Sequence, residues 1–263
     1  MIGRRFLIAG LVPLFALALA AMPSAAQEWK TPVPGYEWSF PRDHANHGEY
    51  AVEWWYYTGH LLPVGADSTD PDAWVHIQLT FFRSAAGGPE VHPLYFAHLA
   101  MSGGATGDFD YAERIARGTL GEAGADEPVY HVWLDDWRAS LIGKDQVLEA
   151  WDKEVGGFRL IATPEGEPVL NGDRGFSRKG PSATEASFYY SIPRMSATGY
   201  LLPPENEDAS IPKPTNQSSS ISQPERSDPQ PRRGKLARHE VTGNIGSMFS
   251  SGNTSSSAPE PIA

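Results

Sequence analysis

Hydrophobic and aromatic residues of this chain occur in short runs that turn-forming residues separate. The runs cover residues 53–62, 74–84, 94–101, 129–142, 158–163, 186–192 and 195–202. Clusters rich in Gly, Pro, Asn and Asp lie between them, for example at 63–67 and 171–175. Short runs at this spacing are typical of antiparallel barrels and sandwiches. The pattern therefore predicts an all-β fold, and only residues 110–117 could form a turn or two of helix.

The beginning of the chain has a different pattern. Arg4 and Arg5 precede an apolar run over residues 6–22, and small residues at 24–26 come directly before Gln27. This order is typical of a cleaved secretory signal. The apolar run is shorter than the roughly 20 residues that a membrane-spanning helix needs. We therefore predict a signal peptide over residues 1–26, a periplasmic or secreted protein, and no stable membrane span after cleavage.

The end of the chain predicts a tail. Residues 203–263 are rich in Ser and Pro and contain few large apolar side chains. A segment of this composition buries too little apolar surface to offset the entropy that ordering costs. We therefore predict a β domain over residues 27–202 and a disordered tail over residues 203–263.

Composition narrows the classes of function. The chain is 40% hydrophobic and 11% aromatic, which is enough for a sizeable core. Its formal net charge of −11 argues against a nucleic-acid partner, which would need a basic face. The absence of cysteine excludes disulfides, thiolate metal sites and a cysteine nucleophile. The chain also lacks the G-x-S-x-G, HExxH and P-loop motifs of hydrolases, zinc proteases and nucleotide-binding proteins.

The most unusual segment places four consecutive aromatic residues on one predicted strand. Side chains alternate between the two faces of a strand. One face carries Glu53, Trp55, Tyr57 and Leu61, and the other carries Trp54, Tyr56, Thr58 and His60. One interpretation is that one face joins the core and the other packs on a second layer. Another is that these side chains line a cavity for a long apolar ligand, whose orientation the polar atoms determine.

Several motifs occur in a family-specific order. They are Phe40-Pro41-Arg42-Asp43-His44, the stretch from Glu53 to Leu61, Gln78-Leu79-Thr80-Phe81-Phe82-Arg83, Tyr95-Phe96-Ala97-His98, Tyr111-Ala112-Glu113-Arg114, Trp133-Leu134-Asp135-Asp136-Trp137, the stretch from Gly172 to Gly180, and Tyr189-Tyr190-Ser191-Ile192-Pro193-Arg194. Together they resemble the AttH/carotenoid 1,2-hydratase family over residues 38–202. Near Val241 the family continues into a second half, where this chain has Asn244-Ile245-Gly246-Ser247-Met248 and Ser-rich sequence instead. The resemblance is therefore to the N-terminal half.

This resemblance implies a lipocalin-like β-barrel. It also implies an exported protein, with ABC-transporter components as possible partners. The family takes its enzymatic name from adding water to acyclic carotenoids. An activity that needs the second half would be in doubt for this chain.

Hydration of an isolated alkene requires an acid that protonates carbon, and aromatic faces can stabilise the cation that forms. Glu53, Asp135 and Asp136 are the candidate catalytic acids because aromatic residues adjoin them. Glu53 could instead form a buried ion pair with Arg83 or Arg114. Asp135 and Asp136 could instead lie at a strand bend, one of them solvated. This chemistry needs no metal or other cofactor.

The candidate ligand-binding residues are mostly aromatic. They are Trp54, Trp55, Tyr56, Tyr57, His60, His98, Arg114 and Trp133. The histidines His44, His47, His60, His76 and His98 raise the possibility of a zinc site, but their spacing matches no metal motif, and we predict none. We interpret Arg174, Arg178 and Lys179, which lie among glycines, as solvated bases of a turn.

Three functions remain open at this point. The first is a binding module for an extended apolar or lipidic ligand, with the ABC transporter that the resemblance implies as its partner. The second is a cofactor-free hydro-lyase like carotenoid 1,2-hydratase, and the third is an interaction domain whose aromatic strand packs on a partner. An interior cavity of tens of cubic ångströms would favour the first two, and a filled interior the third. A carboxyl group buried against the aromatic cluster would favour the enzyme over the binding module. We prefer the binding module.

Overall fold

The structure is a computed structural model that describes residues 29–85, 92–104, 107–205 and 238–252. Within these residues, two short 3-10 turns, Arg42–His44 and Pro71–Ala73, accompany thirteen strands. The strands are β1 (Val52–Pro63), β2 (Val75–Ser84), β3 (Leu94–Gly103), β4 (Phe109–Ala116), β5 (Ala123–Ala125), β6 (His131–Leu134), β7 (Trp137–Ile142), β8 (Asp145–Asp152), β9 (Gly156–Pro164), β10 (Val169–Leu170), β11 (Phe176–Arg178), β12 (Ala186–Leu202) and β13 (His239–Gly252). No helix among the described residues is long and apolar enough to cross a membrane.

All strands belong to one antiparallel sheet that curls into a nearly closed barrel. The strand order is β4-β3-β2-β1-β13-β12-β9-β8-β7-β6-β5, and β10 and β11 add to β12. At the seam, Arg114 on β4 forms an ion pair with Asp136 in the β6–β7 turn. Its guanidinium lies 4.3 Å from the ring centroid of Trp137 and donates a hydrogen bond to the carbonyl oxygen of Trp151 at 3.2 Å. The all-β prediction is confirmed.

Side chains fill the inside of the barrel. Alternate residues of each strand point inward, and the buried cluster includes Trp55, Tyr57, Leu79, Phe81, Leu99, Leu134, Trp137, Phe158, Leu160, Tyr190 and Phe249. Aromatic rings make up much of this core, and burying them supplies most of the hydrophobic stabilisation. The inward face of β1 is therefore core along most of its length.

Three strand boundaries differ from the sequence pattern. The run 129–142 is divided by a turn at Asp135 and Asp136, where Asp135 has a φ of 54°. The two runs between 186 and 202 form one strand with a bulge between Ile192 and Met195. Residues 109–116 form strand β4, so the possible helical turn there was wrong. Period-two alternation decides this, because Ala112, Arg114 and Ala116 lie on the inner face of β4 while Tyr111, Glu113 and Ile115 lie on the exposed face.

The predicted disorder of residues 203–263 is wrong for residues 239–252. These residues form β13, which pairs with β1 on one side and with β12 on the other. Val241, Ile245 and Phe249 point inward and are buried. The small residues between them fit beside two aromatic-rich strands, so the Ser-rich composition reflects a crowded position in the sheet. The β domain therefore does not end at residue 202; residues 206–237 and 253–263 of the predicted tail, and the predicted signal peptide, lie outside the described residues.

The segment before β1 covers one end of the barrel. The rings of Trp38 and Phe40 pack against Tyr190, with centroid distances of 5.2 and 4.8 Å. The indole of Trp38 also lies against Gly175, where a Cβ atom would come within 2.4 Å of the ring and where φ is +93°. Glycine at this position thus allows the indole to seat. The seated segment holds the 3-10 turn Arg42–His44 over the end of the core.

Candidate functional site

A buried ionic cluster lies where this segment meets the barrel. Glu53, on the inward face of β1, accepts hydrogen bonds from the backbone N–H of His47 at 2.9 Å and from the hydroxyl of Ser251 at 2.7 Å. One of its oxygens lies 2.8 Å from Nδ1 of His47, and the other lies 3.6 Å from the guanidinium of Arg83. Nε2 of His47 is 3.5 Å from a carboxylate oxygen of Asp43. All five side chains are buried.

The charges of this cluster stabilise one another. Burial alone would lower the pKa of His47, but its contacts with Asp43 and Glu53 outweigh burial and raise that pKa to about 9. Burial alone would raise the pKa of Asp43, whereas hydrogen bonds from His47, Ser39 and Arg42 bring it down to about 2. The pKa of Glu53 is likewise lowered, because hydrogen bonds and charge from His47 outweigh its desolvation. At neutral pH the cluster therefore consists of ionised carboxylates and a protonated histidine.

His44 has the opposite electrostatic environment, although it lies only three residues from His47. Its ring packs among Phe40, Tyr190 and Phe249, and its Nδ1 lies 2.6 Å from the hydroxyl of Tyr190. Burial lowers its pKa to about 4, and the charge of Asp43 offsets this only in part. At neutral pH, His44 is therefore uncharged.

The two histidines predict a stability maximum near pH 6.5. His47 has a folded pKa above its ordinary value, so its contribution is complete below pH 6.5 and is lost as pH rises towards 9. His44 has a folded pKa below its ordinary value, so stability is lost as pH falls from 6.5 towards 4. Each limb amounts to about 3 kcal/mol, at 1.36 kcal/mol per pKa unit.

Urea unfolding between pH 5.5 and 9 measures this profile, above the ordinary pKa values of Asp43 and Glu53 at which their own contribution begins to fall. His47→Gln should flatten the alkaline limb, and His44→Gln the acidic limb. Each variant serves as the control for the other. An identical pH profile in both variants would contradict this assignment.

A small cavity adjoins the cluster. It has about 10 Å³ of space for the centre of a water molecule, with Asp43, His47 and Glu53 on one side and Tyr190 and Phe249 on the other. This volume suffices for about one water molecule. It is too small for an organic ligand.

A second feature lies on the outside of the barrel. Cross-strand register places Ile115, Phe96, Phe82, Trp54 and Tyr189 in one line across β4, β3, β2, β1 and β12, and on β13 only Ser250 stands between the last two. We call these five residues the aromatic row. Phe82 and Phe96 stack at 4.6 Å, and the rings of Trp54 and Tyr189 meet across Ser250 at 5.8 Å. Ile115 is 63% exposed, Trp54, Phe96 and Tyr189 are half-buried, and Phe82 between Trp54 and Phe96 is buried.

A more polar line of side chains follows the aromatic row on the same face. It contains Glu113, His98, Thr80, Tyr56 and Met248. His98 forms an ion pair with Glu113 at 3.2 Å and lies 5.4 Å from the ring of Phe82. The hydroxyl of Tyr56 donates to the side-chain oxygen of Gln78 at 3.4 Å. The outer face thus offers large apolar rings with hydrogen-bonding groups beside them.

The candidate catalytic residues lie in two different environments. Glu53 belongs to the buried cluster, and the alternative of a buried ion pair with Arg83 is what the structure contains. Asp135 and Asp136 lie in the exposed β6–β7 turn, where Arg114 pairs with Asp136. Because Asp135 and Asp136 lie in a turn, the alternation of side chains along a strand does not determine which residues they face. Their catalytic role stays a prediction.

The candidate ligand-binding residues divide between the two faces of the sheet. Trp55 and Tyr57 point into the core, where the Tyr57 hydroxyl lies 2.6 Å from that of Tyr130. Trp54, Tyr56, His60 and His98 point outward on neighbouring strands. Arg114 lies at the seam, and Trp133 is half-buried on the outside of β6. They do not line one common pocket.

Sequence reasoning missed part of the cluster. Asp43 and Ser251 received no role, and His47 was considered only as a weak metal ligand. The i,i+4 spacing of Asp43 and His47 was a usable signal, whereas Ser251 lies almost two hundred residues from Glu53 in sequence. Within the described part of the chain, no group of three or more metal-ligating side chains is placed to hold a metal ion.

Fold and site together define a small antiparallel β-barrel protein with a filled interior, an ionic cluster at one end and aromatic side chains across its outside. The model of the AttH-like family matches residues 31–211, and the chain belongs to that family. A crystal structure of a protein assigned as AttH from Nitrosomonas europaea is similar, with a TM-score of 0.63 and 27% sequence identity. The similarity covers 86% of this chain and 58% of that protein, so this chain spans little more than half its length. A comparison with curated proteins finds no match.

Proposed function

We propose that this AttH-like protein binds an extended apolar ligand on the aromatic row. The observation that carries the proposal is a line of large apolar side chains, with three adjacent rings at Trp54, Phe82 and Phe96, on the outside of a barrel whose inside is already full. The solvent-facing side of an antiparallel sheet normally carries polar residues. Contiguous apolar surface on a folded protein usually marks a binding site.

The filled interior moves the expected ligand from the inside of the barrel to its outside. The cavity beside Glu53 accommodates about one water molecule rather than a lipid chain. Trp55 and Tyr57 then act in the core, and Tyr56 is also buried, while the half-buried Trp54 can contact a ligand. His98, beside the aromatic row, supplies a polar contact.

Binding fits the geometry better than hydration does. A hydratase acid must carry a proton at neutral pH, whereas contacts with His47 and Arg83 keep the pKa of Glu53 low. The exposed carboxylates of Asp135 and Asp136 lie in a turn instead of an apolar pocket. A carotenoid 1,2-hydratase activity remains the alternative. If it were correct, Glu53→Gln would abolish water addition to an acyclic carotenoid even under conditions in which circular dichroism shows the variant to be folded.

A filled interior also agrees with an interaction domain, and the solved AttH structure is longer than this chain. In that case the outer face would cover protein rather than a small molecule. Sedimentation of the purified full chain distinguishes the two. If this face mediates self-association, Trp54→Ser should abolish that association.

We also propose that the protein is exported and works beside an ABC transporter. The export proposal is supported by Arg4 and Arg5, the apolar run over residues 6–22 and the small residues before Gln27. The transporter proposal is supported by membership of the AttH-like family alone. Fractionation of cells that express the full chain tests the first, and co-purification tests the second.

Retinol, an extended apolar molecule with its own fluorescence, tests the proposed site. Trp54→Ser should weaken retinol binding about tenfold, because aromatic side chains at the centre of a binding surface contribute most of the affinity. The matched control is Trp74→Ser. Trp74 has the same outward orientation but precedes β2, about 26 Å along the strand from Phe82.

Retinol titration of the wild type and both variants, with circular dichroism to verify folding, measures the effect. Loss of affinity in Trp54→Ser alone supports the site. A wild type that binds no retinol, or equal losses in both variants, would show that the aromatic row is not a ligand site.

A further inference from the structure

Lys179 lies beside Tyr189, which forms one end of the aromatic row. The residue directly follows β11, and its backbone N–H donates to the carbonyl oxygen of Glu185 at 2.7 Å. Its ammonium nitrogen lies 4.7 Å from the ring centroid of Tyr189. Tyr189 in turn contacts Trp54 at 5.8 Å and donates a hydrogen bond to the sulfur of Met248. The amino group is thus attached to the aromatic row through a cation–π contact.

This amino group has no carboxylate partner among the described residues, and the same holds for Lys144, whereas Lys30 pairs with Glu49 and Lys153 with Glu154. Partial desolvation lowers the pKa of Lys179, and no nearby carboxylate offsets that effect. Lys179 is solvent-exposed, as its interpretation as a base of a turn implies, and its position over Tyr189 is what distinguishes it. An exposed cation without a counter-ion beside an apolar surface is expected to attract the anionic group of an amphipathic ligand.

The dimensions of the aromatic row suit one hydrocarbon chain. From Tyr189 on β12 to Ile115 on β4 it crosses six adjacent strands, which at the usual strand spacing is about 24 Å. The hydrocarbon core of a bilayer is about 30 Å thick, so each of its two layers of acyl chains extends about 15 Å. A single long acyl chain therefore fits along the rings with its head group at one end.

The charges select an orientation. Lys179 is at the Tyr189 end, whereas Glu113 lies beside Ile115 at the other end, next to His98. The protein as a whole carries a formal net charge of −11, so an anion gains little from the long-range field. Recognition of an anionic head group must then come from a local cation, and Lys179 is placed for it.

We propose that the ligand of the aromatic row is a long-chain fatty acid, whose carboxylate binds Lys179 and whose acyl chain lies over Trp54, Phe82 and Phe96. This proposal rests on the proposed function, since it names the ligand of the same site. The carboxylate accepts a charge-assisted hydrogen bond from the ammonium group. The acyl chain supplies most of the affinity through apolar contact.

Displacement of bound retinol from the full chain at pH 7 tests the proposal with three competitors: palmitate, hexadecan-1-ol and octanoate. Wild-type protein should bind palmitate about fivefold more tightly than hexadecan-1-ol, the size of effect expected for one exposed ion pair. Octanoate, with half the chain, should bind at least about 100-fold more weakly than palmitate. Lys179→Gln should remove the preference for palmitate and leave hexadecan-1-ol affinity unchanged.

Lys144→Gln is the matched control, because Lys144 is an exposed lysine in the turn between β7 and β8. It should retain the fivefold preference. Equal binding of palmitate and hexadecan-1-ol by the wild type, or a preference that survives in Lys179→Gln, would overturn the role of Lys179 while leaving the apolar site intact. If neither retinol nor hexadecan-1-ol binds, the proposed function and this inference both fail.

Discussion

A chain that ends after Arg238 is expected not to fold. It lacks β13, which lies between β1 and β12 and pairs with both along almost its whole length. The loss removes three buried apolar side chains, Val241, Ile245 and Phe249, worth roughly 2 kcal/mol each. It also leaves the inner edges of two long strands without hydrogen-bond partners. Because domains are stable by only about 5–15 kcal/mol, this loss exceeds what the remaining sheet can tolerate.

A chain that ends at Gly252 is the matched control, since it keeps all of β13. Far-UV circular dichroism and urea unfolding of the two truncated proteins measure the difference. The longer one should unfold cooperatively, and the shorter one should show no cooperative transition. Cooperative unfolding of the shorter protein would mean that residues 29–205 form a domain without β13.

Glu53→Gln is expected to lower the free energy of unfolding by about 3–5 kcal/mol, the usual cost of removing one partner from a buried ion pair. The variant keeps the shape of the side chain but leaves the buried charges of His47 and Arg83 without their carboxylate. His47 can recover part of this cost by releasing its proton. The loss should therefore be largest below pH 6.5, where even an unperturbed histidine is protonated.

Glu113→Gln is the control for this substitution. Glu113 also pairs with a histidine, His98, but its side chain is 59% exposed. Exposed ion pairs contribute between zero and about 1 kcal/mol, so this variant should be nearly neutral. Urea unfolding at pH 6 compares the two variants. Similar losses in both would show that burial does not determine the importance of the Glu53 cluster.

The ionic cluster has a structural consequence for the proposed site. Arg83 donates hydrogen bonds to the carbonyl oxygens of His47 and Tyr50, at 3.1 and 2.8 Å, and so ties the segment before β1 to β2. Glu53 and Ser251 tie the same segment to β1 and β13. These are the strands that carry Trp54, Phe82 and Ser250 on their outer faces. The cluster thereby holds in register the strands that build the aromatic row.

Much of the fold was predictable because strand residues alternate between two faces. Alternation divided the aromatic run that begins at Glu53 into two sets, and burial shows that the set of Trp55, Tyr57 and Leu61 is the inward one. Strand β4 and strand β13 were not predicted. Their inward residues are small or widely spaced, as Ala112 and Ala116 show in β4, so local hydrophobicity is weak.

Less of the candidate sites could be predicted. Alternation placed Trp54 and Tyr56 on a common face, but nothing in the sequence shows that this face points outward or that Phe82, Phe96 and Tyr189 lie in line with Trp54. That line depends on the pairing of strands distant in sequence, above all β12 with β13 and β13 with β1. The ionised state of Glu53 was equally unpredictable, because its partners His47, Arg83 and Ser251 come from three separate segments.

The sequence by itself determined the all-β class, the alternation of each long strand and the family to which the chain belongs. Each of these depends on residues that are close together along the chain or on their order within it. Only the tertiary structure decided that the interior is filled, that residues 239–252 complete the sheet, and that Lys179 lies over Tyr189. Packing density, strand partners and the desolvation of a charge are set by atoms that meet in space, and residues remote in sequence supply most of those atoms.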